Sequence, residues 1–298
     1  MFPDVLGHTS SKEYLEKALA LKQLPNTLLF AGPDGIGKKK LALALASHLL
    51  QAAATHHPDF YLLTPEGKSG LHSIESFRKA IENMRETPFQ APVKCFVIDA
   101  AERMQPAAAN ALLKTLEEPT PDSYFFLISA EPEAILPTIV SRCARLNGQP
   151  LLISQIETIL SAHNLPPHFA KMAQGSAAKA IELAQHPELE EARKLLFSLL
   201  GSPPAYPNLS ASLEQISRLL ETEDPLERHG RAAYLFTSIA LYFRDQELKR
   251  LAPTSPLLYF PEIPLSAIPA HWEEDLEDAR LGFERNLKLS TCLEAFFL

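Results

Sequence analysis

Apolar residues along this chain fall into two patterns, and their alternation outlines an architecture. Continuous apolar runs at 27–31, 59–63, 93–98 and 124–129 are of strand length and lack a polar face, which is how strands buried on both sides of a parallel sheet read. Between them the apolar positions recur at helical spacing: Tyr14, Leu15, Ala18, Leu19 and Leu21, then the stretch 38–50, then Ile74, Phe77, Ile81 and Met84, then Ala108, Leu112, Thr115 and Leu116. Ser10 and Ser11 offer side-chain caps for the first helix, Pro106 fits a first helical turn, and Pro119 stops the last helix. Strand alternating with helix predicts an α/β domain on a central parallel sheet. After the last run, ILPTIVSRCARL reads as a short helix that delivers Ser141, Arg142 and Cys143.

Beyond residue 150 the pattern is helical. Ser154 and Glu157 form an S-x-x-E capping box ahead of Ile156, Ile159 and Leu160, and 169–173 and 177–184 complete a small bundle. GSPPAYP at 201–207 reads as a linker or loop. Leu213, Ile216, Leu219 and Leu220 then share one face, and 232–251 is a long apolar helix carrying Tyr234, Phe236, Tyr242 and Phe243. Five prolines between 253 and 269 exclude regular structure there. Residues 272–297 read as one closing helix whose start holds Glu273, Glu274 and Asp275, where the helix dipole favours negative charge. The expected division is 1–150, 151–200 and 201–298.

A length of 298 residues fits roughly two domains or three small ones, and a hydrophobic share of 46% supplies their cores. The net charge of −8 means that, if the chain works on DNA, partners supply most of the phosphate contacts. Cys95, Cys143 and Cys292 lie too far apart for a disulfide framework or a metal knuckle, which points to a reducing compartment. No 18-residue apolar run and no signal-peptide pattern occur, so a soluble cytoplasmic protein without a membrane partner is expected.

The chemistry concentrates where strands end. The run at 27–31 passes directly into GPDGIGKK and then into a helix, the strand–loop–helix context of a phosphate-binding loop. Gly32, Gly35 and Gly37 permit close backbone approach, and Lys38 is placed to reach a phosphate. Lys38, Lys39 and Lys40 crowd a helix start that disfavours cations unless something negative neutralises them, although a relic loop that binds nothing is also open. Asp99 tips the run at 93–98. Ser129 ends the run at 124–129, either facing a phosphate or satisfying a local backbone group.

The words NALLKTLEEP at 110–119 and LPTIVSRC at 136–143, together with the glycine-rich loop, resemble the clamp-loader ATPases of the AAA+ class, and within them the delta-prime branch of bacterial DNA polymerase III loaders. The likeness is dense over about the first half of the chain. It implies an AAA+ P-loop domain at 1–150, a helical lid at 151–200 and an α-helical collar for hetero-oligomer assembly at 201–298. It also implies ATP as the loop's ligand, Val5 to Gly7 near its adenine, and Ser129 as a polar sensor. The implied partners are gamma/tau and delta subunits, the sliding clamp and primed DNA, within a DNA-directed DNA polymerase holoenzyme.

Three departures stand against hydrolysis by the chain itself. Lys39 replaces the hydroxyl that coordinates magnesium, Ala100 replaces the acid that follows Asp99, and Ala178 replaces the arginine of the GSxR word. Glu102, three residues beyond Asp99, is expected to cap or face solvent. Arg142 is intact, and in the resembled family this arginine reaches the γ-phosphate of a neighbouring subunit; an internal salt bridge is its other reading. The expectation is a non-hydrolysing subunit acting through Arg142, with an ATP-hydrolysing gamma/tau-type motor or a free-standing nucleotide kinase as alternatives. The stretch 51–58 holds His56 and His57 but none of the four cysteines of the family's zinc module, so no metal is expected, and both histidines read as surface residues.

Overall fold

The computed structural model describes the chain except at residues 67–69, 85, 118, 119, 121, 168, 224, 256 and 298. The chain divides into two compact units, Met1–Ile181 and Glu182–Leu298. The first unit runs α1 (Thr9–Ala20), β1 (Thr27–Ala31), α2 (Lys38–Leu50), β2 (Phe60–Leu63), α3 (Ile74–Met84), β3 (Lys94–Ile98), α4 (Pro106–Glu117), β4 (Ser123–Ser129), α5 (Pro137–Val140), β5 (Ala144–Asn147), α6 (Ile153–Ala162) and α7 (Phe169–Met172). The division between the units falls inside α8 (Ala177–Gln185).

The five strands pair in the order β2-β3-β4-β1-β5, each pair parallel. Side chains alternate across the sheet with period two. Leu28 and Phe30 of β1, Cys95 and Val97 of β3, and Phe126 and Ile128 of β4 pack with Leu41, Ala42 and Leu45 of α2 on one face. Leu29 and Ala31, Phe96 and Ile98, and Phe125 and Leu127 pack with Phe77 of α3, Leu112 of α4 and Ile139 of α5 on the other. Both faces are dry, which is why these strands show no polar alternation in sequence.

Several local readings are corrected. Ser10 and Ser11 lie inside α1, whose N-cap is His8 at φ 55° with no side-chain cap. Helix α6 begins one residue before Ser154; its N-terminus is closed by Gln155 Oε1, which accepts the Leu152 N–H at 3.0 Å, rather than by Ser154 and Glu157. The segment after α5 is a strand, the edge strand β5. The expected stop at Pro119 lies outside the described residues, although α4 is described to Glu117.

Asp59 ties β2 to the approach to β3. Its carboxylate is buried and accepts the backbone N–H groups of Phe89 (2.6 Å), Gln90 (2.7 Å) and Ala91 (2.9 Å). His57, expected at the surface, is largely buried and accepts the Asp59 N–H through Nδ1 at 3.1 Å. Burial alone raises the Asp59 carboxyl, but the three N–H donors and His57 outweigh it and leave it below its ordinary value.

In the second unit, α9 (Pro187–Gly201), α10 (Tyr206–Leu219), α11 (Pro225–Leu251), α12 (Trp272–Glu284) and α13 (Leu289–Phe297) pack around Leu196, Leu213, Ile216, Leu235, Ile239, Tyr242, Phe243 and Leu293. The proline-rich stretch from 252 to 271 carries no helix or strand among its described residues, as its prolines require, yet it is held in place. Asp245 Oδ2 accepts the Phe260 N–H at 2.6 Å, Gln246 Oε1 accepts the Ser266 N–H at 2.7 Å, and Lys249 Nζ donates to the Phe260 carbonyl at 2.8 Å. The closing helix expected over 272–297 is two helices, broken where Asn286 takes φ 66° and the Leu287 N–H returns to Gly282 O at 3.2 Å. That turn is a helix C-terminal cap with asparagine in the left-handed position.

Asp59→Ala is expected to lower stability by about 3 kcal/mol, because three backbone donors lose a charged acceptor. The wild-type chain holds this contribution in full above the ordinary carboxylate value of 3.8 and loses it as pH falls through the lower folded-state value. Denaturant titrations from pH 6 downward check both; the variant's stability falls less steeply in that acid window.

Candidate functional site

Because every strand pair is parallel, the residues that follow the strands collect along one edge of the sheet. The glycine-rich loop follows β1, Asp99 follows β3, and Ser129 closes β4. A cavity of about 410 Å³ lies there, lined by Asp34, Gly35, Lys38, Lys39, Asp99 and Ala178 among others. The loop turns on glycines at φ 140° (Gly32), 73° (Gly35) and 99° (Gly37). A Cβ at Gly32 would lie 2.6 Å from the Gly148 carbonyl oxygen, so that glycine is required by close backbone approach.

The lysines are engaged by the chain itself. Lys38 is buried and its Nζ donates to the carbonyls of Gly32 (2.5 Å) and Pro33 (2.6 Å). Lys39 Nζ donates to Asp99 Oδ2 at 2.9 Å. This pair answers how cations are tolerated at the start of α2, a terminus with no acid in its first turn: one lysine is neutralised by Asp99 and another is solvated by loop carbonyls. Lys40 is exposed.

A magnesium ion does not fit this arrangement. The acid that would hold it is paired to an ammonium, and position 39 offers no hydroxyl. Among the described residues no group of three or more His, Cys, Asp or Glu side chains is placed to hold a metal ion. Ala100 takes φ 48° and carries no carboxylate toward the cavity. Glu102, expected to cap or face solvent, is half-buried in the first turn of the short helix Ala101–Arg103, and one of its carboxylate oxygens is buried with no partner among the described residues. Ser129 is buried, and its Oγ accepts the Glu131 N–H at 3.1 Å, which is the local role a strand-end serine readily takes.

The GSAAKA segment closes over the loop. The Ala178 N–H donates to the Gly35 carbonyl at 3.2 Å, and a Cβ at Gly35 would overlap Ser176 Oγ and lie 2.8 Å from Ala178 Cβ. Sequence reasoning marked Ala178 only as a lost arginine; the structure adds that small residues at 176 and 178 are what the approach requires. His72 was also missed. Its Nε2 lies 2.8 Å from the Asp99 carbonyl oxygen, fastening the stretch before α3 beneath the end of β3, and burial pushes its pKa down despite those carbonyls. A lone histidine in an irregular stretch carries no pattern that could have revealed it.

Arg142 is elsewhere. It follows α5 and precedes β5, so it lies at the opposite edge of the sheet, where strands begin. The five residues of β1 separate that edge from the loop by roughly 15 Å at ~3.3 Å per residue. Its guanidinium donates from Nη1 to the Thr138 carbonyl and from Nη2 to Glu117 Oε1, each at 2.8 Å. The Cys143 thiol, beside it, is pushed up to about 12 by burial.

Residues 7–151 match the family model described as "DNA polymerase III, delta subunit". The chain is 31% identical over 208 residues to the DNA polymerase III subunit delta' of Bacillus subtilis, an alignment covering 62% of this chain and 61% of that protein. It is 28% identical over 290 residues to the subunit tau of the same organism, covering 85% of this chain and 51% of tau. The chain thus spans between about half and three fifths of these relatives. A solved structure of a DNA polymerase III gamma subunit-related protein from Thermotoga maritima superposes with TM-score 0.57 at 17% identity, covering 95% of this chain and 96% of that one, which shows a shared fold. The shared fold is a five-stranded parallel sheet flanked by helices and followed by a mostly helical C-terminal region, and over the matched residues the sequence is similar to the delta' subunit.

Gly35→Ala is expected to cost about 1–3 kcal/mol, from a left-handed φ combined with the overlap on Ser176 and Ala178. A thermal melt checks it, and replacing Gly70, at φ 59° with only the Arg103 side chain near its Cβ among the described residues, at 3.1 Å, is the control for backbone strain.

Proposed function

We propose that this delta-prime-like chain is a clamp-loader subunit that does not hydrolyse ATP itself and acts through Arg142 on the site of a neighbouring subunit. The observation that carries the reading is the separation of Arg142 from the chain's own phosphate loop by the length of the sheet. A side chain at the strand-start edge cannot serve a loop at the strand-end edge. Within the chain its charge is paired to Glu117, and in this reading it also meets a phosphate presented by another molecule, where it stabilises the charge that develops in phosphoryl transfer.

The chain's own loop supports the same conclusion from the other side. Lys39 takes up Asp99, Lys38 is turned onto loop carbonyls, and positions 100 and 178 are alanines. Gly32, Gly35, Gly37, Lys38, Lys39, Asp99 and Ser129 then form a phosphate loop without a metal site, whose residual affinity for ATP is a matter for titration. The partners in this reading are gamma/tau and delta subunits in a cytoplasmic hetero-oligomer that loads a sliding clamp onto primed DNA. Residues 1–150 serve as the nucleotide-binding-like domain, 151–200 as the lid and 201–298 as the assembly collar. With a net charge of −8, phosphate contacts to DNA fall to the other subunits.

The motor reading is favoured by one observation, the alignment to tau over 85% of this chain. Turnover decides between the two. The purified chain is expected to release no phosphate from ATP with or without Mg²⁺; steady magnesium-dependent turnover would establish the motor instead. In the reconstituted complex, Arg142→Ala is expected to lower clamp-dependent hydrolysis at the site that it completes by about 10³-fold, with assembly unchanged in size-exclusion chromatography. Loss of assembly would show Arg142 to be structural.

A further inference from the structure

The ends of two helices converge at the strand-start edge. Helix α4 returns there to enter β4, α5 returns there to enter β5, and β1 lies between those two strands. Glu117 is the last residue of α4, and Arg142 lies two residues beyond α5. The guanidinium is thereby held from two directions: Nη1 by the carbonyl of Thr138 on its own helix, Nη2 by the carboxylate of Glu117 on another. Two bonds to two elements fix the plane of the fork as well as its position. Neither contact buries the group, for the Arg142 side chain keeps 36% of its surface exposed and that of Glu117 keeps 51%.

An arginine has five N–H donors in a planar fork. Among the described residues two are used, leaving the Nε–H and the second hydrogen on each terminal nitrogen. Three donors suffice for a bidentate grip on phosphate oxygens without release of either present partner. A carboxylate that keeps its bond while the arginine works does what an orienting acid does for a catalytic base: it removes rotor freedom before the reaction needs it removed.

We propose that Glu117 is a positioning residue for Arg142, holding the guanidinium in the plane from which it meets the neighbouring subunit's phosphate and remaining bound when it does. The proposal rests on the trans-acting reading of Arg142. The same carboxylate acting as a competitor, which the arginine must leave, makes the opposite prediction.

The test uses the reconstituted loader with clamp and primed DNA, measuring kcat and KM for ATP. Glu117→Ala is expected to lower kcat about 3- to 10-fold with KM unchanged, a modest loss because the pair is solvent-exposed. Glu117→Gln keeps an acceptor oxygen and is expected to recover most of the rate. Glu117→Asp keeps the charge but withdraws it by one methylene, and is expected to fall with the alanine variant. Unchanged or faster hydrolysis in Glu117→Ala, or full activity in Glu117→Asp, overturns the proposal. If Arg142→Ala in the same complex leaves hydrolysis unchanged, the trans-acting reading fails instead, and the two failures are told apart in one set of assays.

Discussion

The first unit depends on a sheet whose strands all run one way and are buried on both faces. Burial of alternate side chains against α2 on one side and α3, α4 and α5 on the other supplies the apolar area, at roughly 1.5–3 kcal/mol for each large side chain removed from water. The same parallelism has a second effect that is not energetic. Every loop after a strand opens at one edge and every return from a helix arrives at the other. Glycine loop, Asp99 and Ser129 are therefore gathered by topology at the first edge, and Glu117 and Arg142 at the second. One sheet sorts the glycine-rich loop from the arginine.

At the loop edge, electrostatics decide what the site can hold. A helix N-terminus carries partial positive charge, and three consecutive lysines add to it. The fold relieves the strain with an anion of its own, Asp99, and with carbonyl oxygens that turn toward Lys38. In a magnesium-dependent site the acid binds a divalent ion and the lysine binds phosphate. Here an ammonium occupies the acid. The Lys39–Asp99 pair is partly exposed, with 42% and 26% of the two side chains accessible, so its worth to stability is small. Its consequence lies in what it displaces.

Much of this was legible in the sequence, and the misses have definite causes. The strands at 27–31, 93–98 and 124–129 and helix α2 were readable because two-sided burial and helical periodicity leave unambiguous patterns. Strand β5 was not, because Ala144 to Asn147 is an edge sequence: Arg145 is solvent-exposed, and only Leu146 is buried. The serine caps of α1 and α6 failed because a capping residue is recognised by its backbone conformation, and His8 and Leu152 hold those places without a capping side chain. Gly35, Gly37, Lys38 and Asp99, each singled out in the sequence, line one cavity. What the letters could not show is pairing. Lys39 with Asp99 and Arg142 with Glu117 join residues 60 and 25 positions apart, and only the strand order brings each pair together.

The second unit shows why pairing matters as much as pattern. Helix α11 carries Asp245, Gln246 and Lys249, residue types that by polarity alone would be assigned to solvent. All three are buried, because each meets a main-chain group of the proline-rich stretch that follows. Prolines remove donors and prevent regular hydrogen bonding, so that stretch pairs some of its N–H and C=O groups in short turns, as Leu258 N–H with Ser255 O, and leaves others to be met from outside it. The helix supplies the missing partners from its side chains. An apparently misplaced polar triplet and an apparently unstructured segment are thus two halves of one requirement, that buried backbone groups be bonded, and each accounts for the other's composition.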